Sequence, residues 1–342
     1  METRRVQLVG RATYTVSLPK AWARRAGLRP SSLVYMLEQS DGSLAVYPSK
    51  PPAIKKEAVV TTSPSEKAGL LFRKIVAAYL DGCDVIKVRS ANRLTYEQLK
   101  EIDNFVKRMS GLEIVEEAAD GATINALVGV ADFPIEQGFR RAHLITTLMF
   151  QEAMDALKRG DVELARSVVL RDGDVDRIYF LVARQLRAAI SNPSVARSLN
   201  IDSLDAVDYL VAVKRIEDTA DSVENIAKMV ESLHQGRIGL PERLLSDLMA
   251  IGEASFSAYD KGVRSFQSKD SSLANEALEA RALVERMRCQ VEGTLAEQSQ
   301  LVVLHVGVIL INLRNIAYYG GDIAEVAINR AVRSGPAPLG NA

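Results

Sequence analysis

The sequence is poor in the residues that would point to several common chemistries. Two cysteines, Cys83 and Cys289, stand far apart among 342 residues and share no short spacing. That leaves no basis for a disulfide framework or a thiolate zinc knuckle, and predicts two reduced thiols in a cytoplasmic protein. The three histidines, His143, His234 and His305, are scattered and form no ligand pair. Aromatic residues make up 6% of the chain, so the core must be largely aliphatic, as in helical bundles. The N-terminus has no apolar leader, since Met1 is followed by charges and then by strand-like alternation. The most apolar stretch, Leu301 to Leu313, is interrupted by His305 and Asn312. It falls short of the ~20 residues that span a bilayer, which predicts a buried core helix and no membrane span. No nucleophile–base pair or open-site histidine cluster is visible, so the expectation is a protein that is not an enzyme.

What is present is unevenly distributed. Basic and acidic residues balance at 43 each. Yet residues 1–30 hold Arg4, Arg5, Arg11, Lys20, Arg24, Arg25 and Arg29 against the single acid Glu2. The rest of the chain is therefore net acidic, and the two ends should meet different partners.

The first segment, residues 1–48, alternates apolar and polar residues through Val6 and Leu8 and again through Tyr14, Val16 and Leu18. Pro19 is suited to a first helical position, and the short stretch Lys20–Ala26 ends at Gly27. Leu33–Glu38, Asp41-Gly42 and Leu44–Tyr47 read as a hairpin. So small a unit buries too little to be stable alone and is expected to dimerise. The run Arg5-Val6-Gln7, then Tyr14-Thr15-Val16-Ser17-Leu18-Pro19-Lys20-Ala21-Trp22, resembles an AbrB/SpoVT swapped-hairpin DNA-binding domain, in the version fused to PhoU domains. The resemblance implies a homodimer of interleaved hairpins, with DNA contacted by Arg4, Arg5, Arg11, Lys20, Arg24 and Arg25. A basic cluster of this kind is what binding to a phosphate backbone requires. A solvated basic surface, or a unit used only for assembly, would carry the same residues.

Pro48-Ser49-Lys50-Pro51-Pro52 is a linker by composition. Residues 53–133 read as a small α/β connector in the order α-β-α-β-β. It has a helix over Ser65–Asp81, a strand over Asp84–Val88 and a capping box at Thr95 and Gln98. A hairpin turns at Asp120-Gly121. No catalytic constellation is evident in it.

From Ile135 onward the sequence is mainly α, with turn signals at Arg159-Gly160-Asp161, Ser191-Asn192-Pro193, Gly236–Pro241, Ser268-Lys269-Asp270 and Gln298-Ser299-Gln300. These breaks predict six helices. The pattern repeats: Asp161-Val162-Glu163-Leu164-Ala165 matches Asp270-Ser271-Ser272-Leu273-Ala274, and Val175-Asp176-Arg177-Ile178 matches Val284-Glu285-Arg286-Met287. Residues 135–235 and 241–333 are thus two three-helix repeats of one bundle. Glu217-Asp218-Thr219-Ala220-Asp221 and Asp172-Gly173-Asp174-Val175-Asp176 each place two carboxylates one helical turn apart on one face. Facing pairs of this kind repel unless a cation joins them, although a solvated acidic face is the simpler alternative.

This architecture and the E(D)xxxD string resemble PhoU. The resemblance implies iron, zinc or another divalent metal held by Asp172, Asp176, Glu217 and Asp221. In the second repeat the matching residues are Arg281, Glu285, Arg314 and Tyr318, so a cation is expected in the first repeat only. The two arginines would bind an anion or, more simply, serve structure. Taken together, the resemblances imply a DNA-binding transcriptional regulator of phosphate uptake whose PhoU module senses phosphate status. The family also suggests contact with the ATPase of a phosphate ABC transporter. The rival reading is an accessory protein of such a transporter that uses the hairpin unit only to dimerise.

Overall fold

The structure, a computed structural model, describes residues 2–38, 42–49, 56–129, 132–295 and 297–335. Asp41 of the first expected hairpin turn, and Lys50, Pro51, Pro52 and Ala53 of the linker and connector start, lie outside these residues. The chain divides into two compact units, Met1–Lys55 and Lys56–Ala342.

The first unit is built from two antiparallel hairpins and one helical turn. Strands β1 (Gln7–Val9) and β2 (Thr13–Thr15) pair with Leu8 opposite Tyr14. Helix α1 (Lys20–Arg25) follows, with Pro19 at its N-cap rather than its first turn, and the chain leaves it through Gly27 at a φ of 69°. Strands β3 (Tyr35–Glu38) and β4 (Leu44–Tyr47) pair with Met36 opposite Val46. No described residue of this unit is fully buried, and Val6, Leu8, Tyr14, Leu33 and Met36 are all exposed. One copy therefore has no core of its own.

The second unit opens with a strand that the sequence analysis missed. β5 (Glu57–Thr62) pairs in parallel with β6 (Val85–Ser90), so the connector order is β-α-β-α-β-β, not α-β-α-β-β. The sheet runs β5-β6-β8-β7, closed by the hairpin of β7 (Leu112–Ala118) and β8 (Gly121–Ala126). Helix α2 (Leu70–Leu80) starts later than expected. Gly69, at a φ of 80°, turns the chain into it, and its first amides are capped from another helix. Glu101 on α3 (Tyr96–Arg108) accepts from the amides of Gly69 at 2.7 Å and Phe72 at 2.8 Å. The Thr95–Gln98 capping box forms as the sequence indicates. Leu71, Ile75, Ile86, Ile102, Phe105 and Ile124 fill the core between the helices and the sheet.

The bundle consists of α4 (Ile135–Arg159), α5 (Val162–Ser191), α7 (Ser203–Gln235), α8 (Glu242–Ser268), α9 (Ser271–Leu295) and α10 (Gln300–Ser334). To these six is added a short helix, α6 (Pro193–Ser198), capped by Asn192. The repeat is structural as well as sequential. Asp161 and Asp270 both cap the second helix of their unit, and Gly160 and Lys269 both turn the chain before it at positive φ, 68° and 56°. Val175 and Val284 are wholly buried at matching positions. Within each repeat all three helices pack together, and α7 against α10 forms the main seam between repeats. At the crossing of α8 and α10 the backbones nearly touch. A Cβ on Gly320 would lie 2.5 Å from the Tyr259 backbone. Only glycine fits there.

Helix α10 is long and apolar enough to cross a membrane, an 18-residue window within Gln300–Arg333 reaching a mean hydropathy of 1.7, but half of that window is buried in the bundle.

Candidate functional site

The acidic site lies where α5 and α7 run side by side. Asp172 and Asp176 stand one turn apart on α5, and Glu217 and Asp221 one turn apart on α7. Carboxylate oxygens of Asp172, Asp176 and Asp221 come within 4.8 Å of one another, as do those of Glu217, Asp218 and Asp221. Asp221 belongs to both groups. The structure thus brings together all four acids picked out in the sequence and adds Asp218, which lay inside the motif string but was not selected.

Crowding of carboxylates in a half-buried setting sets their protonation. Burial, then the charges of Asp176 and Asp221, push the Asp172 pKa up to about 7. Burial likewise lifts Glu217 to about 7, although Lys214 contacts it directly and opposes the rise. Desolvation outweighs the single ammonium because Glu217 is only 8% exposed. Asp176 and Asp221 are raised as well, both mainly by burial. Lys214 donates to Asp218 at 2.7 Å and lies over the Tyr179 ring at 5.4 Å. Burial disfavours its charge, but the hydrogen bonds to Asp218 and Glu217 outweigh this and hold its pKa above the usual lysine range.

A second cation comes from the connector. Arg108, at the end of α3, reaches Asp176 at 3.3 Å. Nothing near Arg108 in the sequence marks it, since its partner lies in a different part of the unit. With Arg215, which binds Asp218 at 3.0 Å, three cations thus face five carboxylates. The buried Oδ1 of Asp172 has no hydrogen-bond partner. An all-oxygen donor set with an unsatisfied buried oxygen suits a hard or borderline cation, so the residues fit the metal that the resemblance implies.

The matching place in the second repeat is built differently. Arg314 binds Glu285 at 3.2 Å and stacks on Tyr318 at 4.1 Å, while Arg281 pairs with Glu325 at 3.2 Å and lies over the same ring at 5.4 Å. Glu285 is also bound by Arg288 at 2.8 Å, and these arginines hold its carboxyl below the usual range. Each of these arginines thus has a carboxylate partner within the protein, and Arg281 and Arg314 lie over the Tyr318 ring.

A separate cavity of about 510 Å³ is lined by Lys158, Arg159, His234 and Arg237 above Leu157 and Leu233. Lys158, Arg159 and His234 sit in the last turns of α4 and α7. Helix C-termini favour cations there without any ligand.

In the first unit Arg4, Arg5, Arg11, Lys20, Arg24 and Arg25 are all exposed. Arg4 also donates to Ser17 at 3.3 Å and pairs with Glu2.

Residues 139–230 match the model of the PhoU domain. The chain carries a PhoU domain. The matched stretch is the repeat that holds the acidic site. Residues 7–53 match the model described as antidote-toxin recognition MazE, bacterial antitoxin, in agreement with the swapped-hairpin reading of that segment. Among solved structures, PhoU from Pseudomonas aeruginosa superposes with a TM-score of 0.51 at 18% identity, covering 58% of this chain and 96% of that one. The phosphate transport system regulatory protein PhoU from Streptococcus pneumoniae superposes with a TM-score of 0.49 at 19% identity, covering 59% of this chain and 94% of that one. No curated protein matches the chain. The Pseudomonas neighbour establishes the PhoU fold for the bundle. The hairpin unit and the PhoU domain are thus two modules of recognised kind on one chain.

Proposed function

We propose that this chain is a cytoplasmic, DNA-binding transcriptional regulator of phosphate uptake, a regulator rather than an enzyme. In this reading the hairpin unit binds DNA as a homodimer, and the PhoU domain senses phosphate status, directly or through a partner. The observation that carries the reading is the joining of a MazE-type hairpin unit, with six exposed basic side chains, to a PhoU domain on the same chain. The unit lacks a core, which supports dimerisation, and the basic residues supply the counterion release on which backbone binding depends.

The acidic site is assigned a divalent or iron-type cation, held by Asp172, Asp176, Glu217 and Asp221. When bound, the ion would supply positive charge beyond that of Lys214 and Arg108, which reach only Glu217 and Asp176 of the four carboxylates. Their own part is to fix it between α5 and α7, with Asp218 and Lys214 at the margin.

The test is to purify the protein from phosphate-rich and phosphate-starved cells and sequence the DNA that accompanies it. Enrichment of discrete sites, differing between the two states, is the expected result. Should no DNA be retained and a phosphate ABC transporter ATPase co-purify instead, the accessory reading holds and the hairpin unit is only a dimeriser.

A further inference from the structure

Helix α3 ends in two basic residues, Lys107 and Arg108, as a helix C-terminus favours. The two are used differently. Lys107 stays on its own helix and pairs with Asp103 at 2.7 Å, one turn back. Arg108 leaves its helix and crosses to Asp176 on α5 at 3.3 Å. No other hydrogen bond or ion pair joins α3 to the bundle among the described residues. The firmer anchors of the connector, Arg184 on Asp84 and Arg187 on Asp81, engage residues just past the end of α2 instead.

The carboxylates of the acidic site are shared unequally among its cations. Lys214 and Arg215 stand on α7 itself and bind Glu217 and Asp218, three or four residues away. Asp172, Asp176 and Asp221, whose oxygens come within 4.8 Å of one another, are paired with neither. Among the described residues Arg108 is the only cation paired with that trio. A divalent ion seated on the trio would bring its charge up to the carboxylate that Arg108 holds. Like charges on one carboxylate repel. The ion therefore favours the state in which Arg108 has left, and by linkage Arg108 weakens the ion.

We propose, on the cation assignment made above, that Arg108 is a resident competitor for the ion, and that ion uptake frees the end of α3 from the bundle. The side chain suits the part. It is 59% exposed, so it has water to return to once displaced. A partly exposed ion pair is also weak enough for a divalent ion to break. A guanidinium sealed in the interior, such as Arg184, could not leave at so small a cost. Helix α3 lies outside the stretch matched to the PhoU domain, so the connector adds this control to the site. In sequence the connector stands between the hairpin unit and the bundle, and occupancy of the site is thus felt in the segment that joins the two modules.

The test titrates the full chain, stripped of metal, with Mn²⁺ and separately with Zn²⁺ by calorimetry. Arg108→Gln is compared with Lys107→Gln, which removes the adjacent charge that does not reach the site. Arg108→Gln should tighten binding about three- to tenfold, and Lys107→Gln should leave it unchanged. Hydrogen exchange supplies a second reading. In the parent, saturating metal should speed exchange over residues 105–109, and in Arg108→Gln it should not. Equal affinities for the parent and Arg108→Gln would overturn the competition while leaving the cation site standing. Weaker binding by Arg108→Gln would overturn it too, making Arg108 an orienting partner of Asp176. Absence of binding by all three proteins would remove the cation assignment, and the competition with it.

Discussion

The guanidinium of Arg184, almost wholly buried on α5, donates to the carboxylate of Asp84 at 2.8 Å and lies 4.7 Å above the Tyr79 ring. Phe180, one turn earlier, packs into the connector core, and Arg187 pairs with Asp81. One edge of α5 thus clamps the connector to the PhoU domain. Replacing Arg184 with Met leaves Asp84 without its main partner and should cost about 3 kcal/mol. Hydrogen exchange should then show the connector strands opening before the bundle. Unchanged joint protection would mean that the clamp resides elsewhere.

Metal content tests the acidic site. Glu217→Ala with Asp221→Ala removes a ligand from each end of the α7 turn, and elemental analysis should find bound metal reduced to near zero per chain. Arg281→Ala with Arg314→Ala, in the second repeat, should leave the content unaltered.

The pH dependence of stability has a defined sign. Asp172 and Glu217 have folded pKa values near 7, above their unfolded values, so the metal-free folded state holds extra protons between about pH 4 and 7. Stability should therefore fall as pH rises through that window. Asp205, Asp260 and Glu285 are lowered instead and weaken the fold only under more acidic conditions. Thermal melting of the metal-free protein should show a falling Tm from pH 5 to 8. Asp172→Asn with Glu217→Gln should flatten the curve.

Salt dependence tests the hairpin unit. If a dimer contacts on the order of 6 to 10 phosphates, affinity for DNA should drop roughly 10³–10⁵-fold between about 50 and 200 mM salt. Arg5→Ala with Arg11→Ala should weaken binding and flatten that slope. Arg237→Ala with Arg243→Ala, on the bundle, should do little.

Gly320→Ala tests the tightest crossing in the bundle. Its Cβ would lie 2.5 Å from the Tyr259 backbone, so α8 and α10 must part, at a cost of about 1–3 kcal/mol. A Tm equal to that of the parent would show that the crossing can yield.

Where a feature depends on neighbours in sequence, the sequence carried it. The capping aspartates at 161 and 270 and the Thr95–Gln98 box are local hydrogen-bond requirements and stand where their residues placed them, whereas the second hairpin turns at Ala119-Asp120, one residue earlier than expected, with Gly121 already in β8 opposite Ala118. The carboxylates of the site were legible for the same reason, as i, i+4 pairs. Features made by distant partners were not. β5 has its sole sheet neighbour in β6, beyond α2, and the start of α2 is fixed by Glu101. Arg108 gains meaning only when α3 is packed beside α5, and the shared stacking of Arg281 and Arg314 on Tyr318 has no local signature.

The stacking of Arg281 and Arg314 on Tyr318 in the second repeat bears on stoichiometry. A duplicated bundle with two equivalent acid sites would take up two ions and could show cooperativity within one chain. On the proposed assignment only the first repeat holds a cation, since Arg281 and Arg314 stand in the second where acids stand in the first, paired with Glu325 and Glu285. Cation uptake by a single chain should follow a simple hyperbola saturating at one site class, and any sigmoidal response must arise between chains.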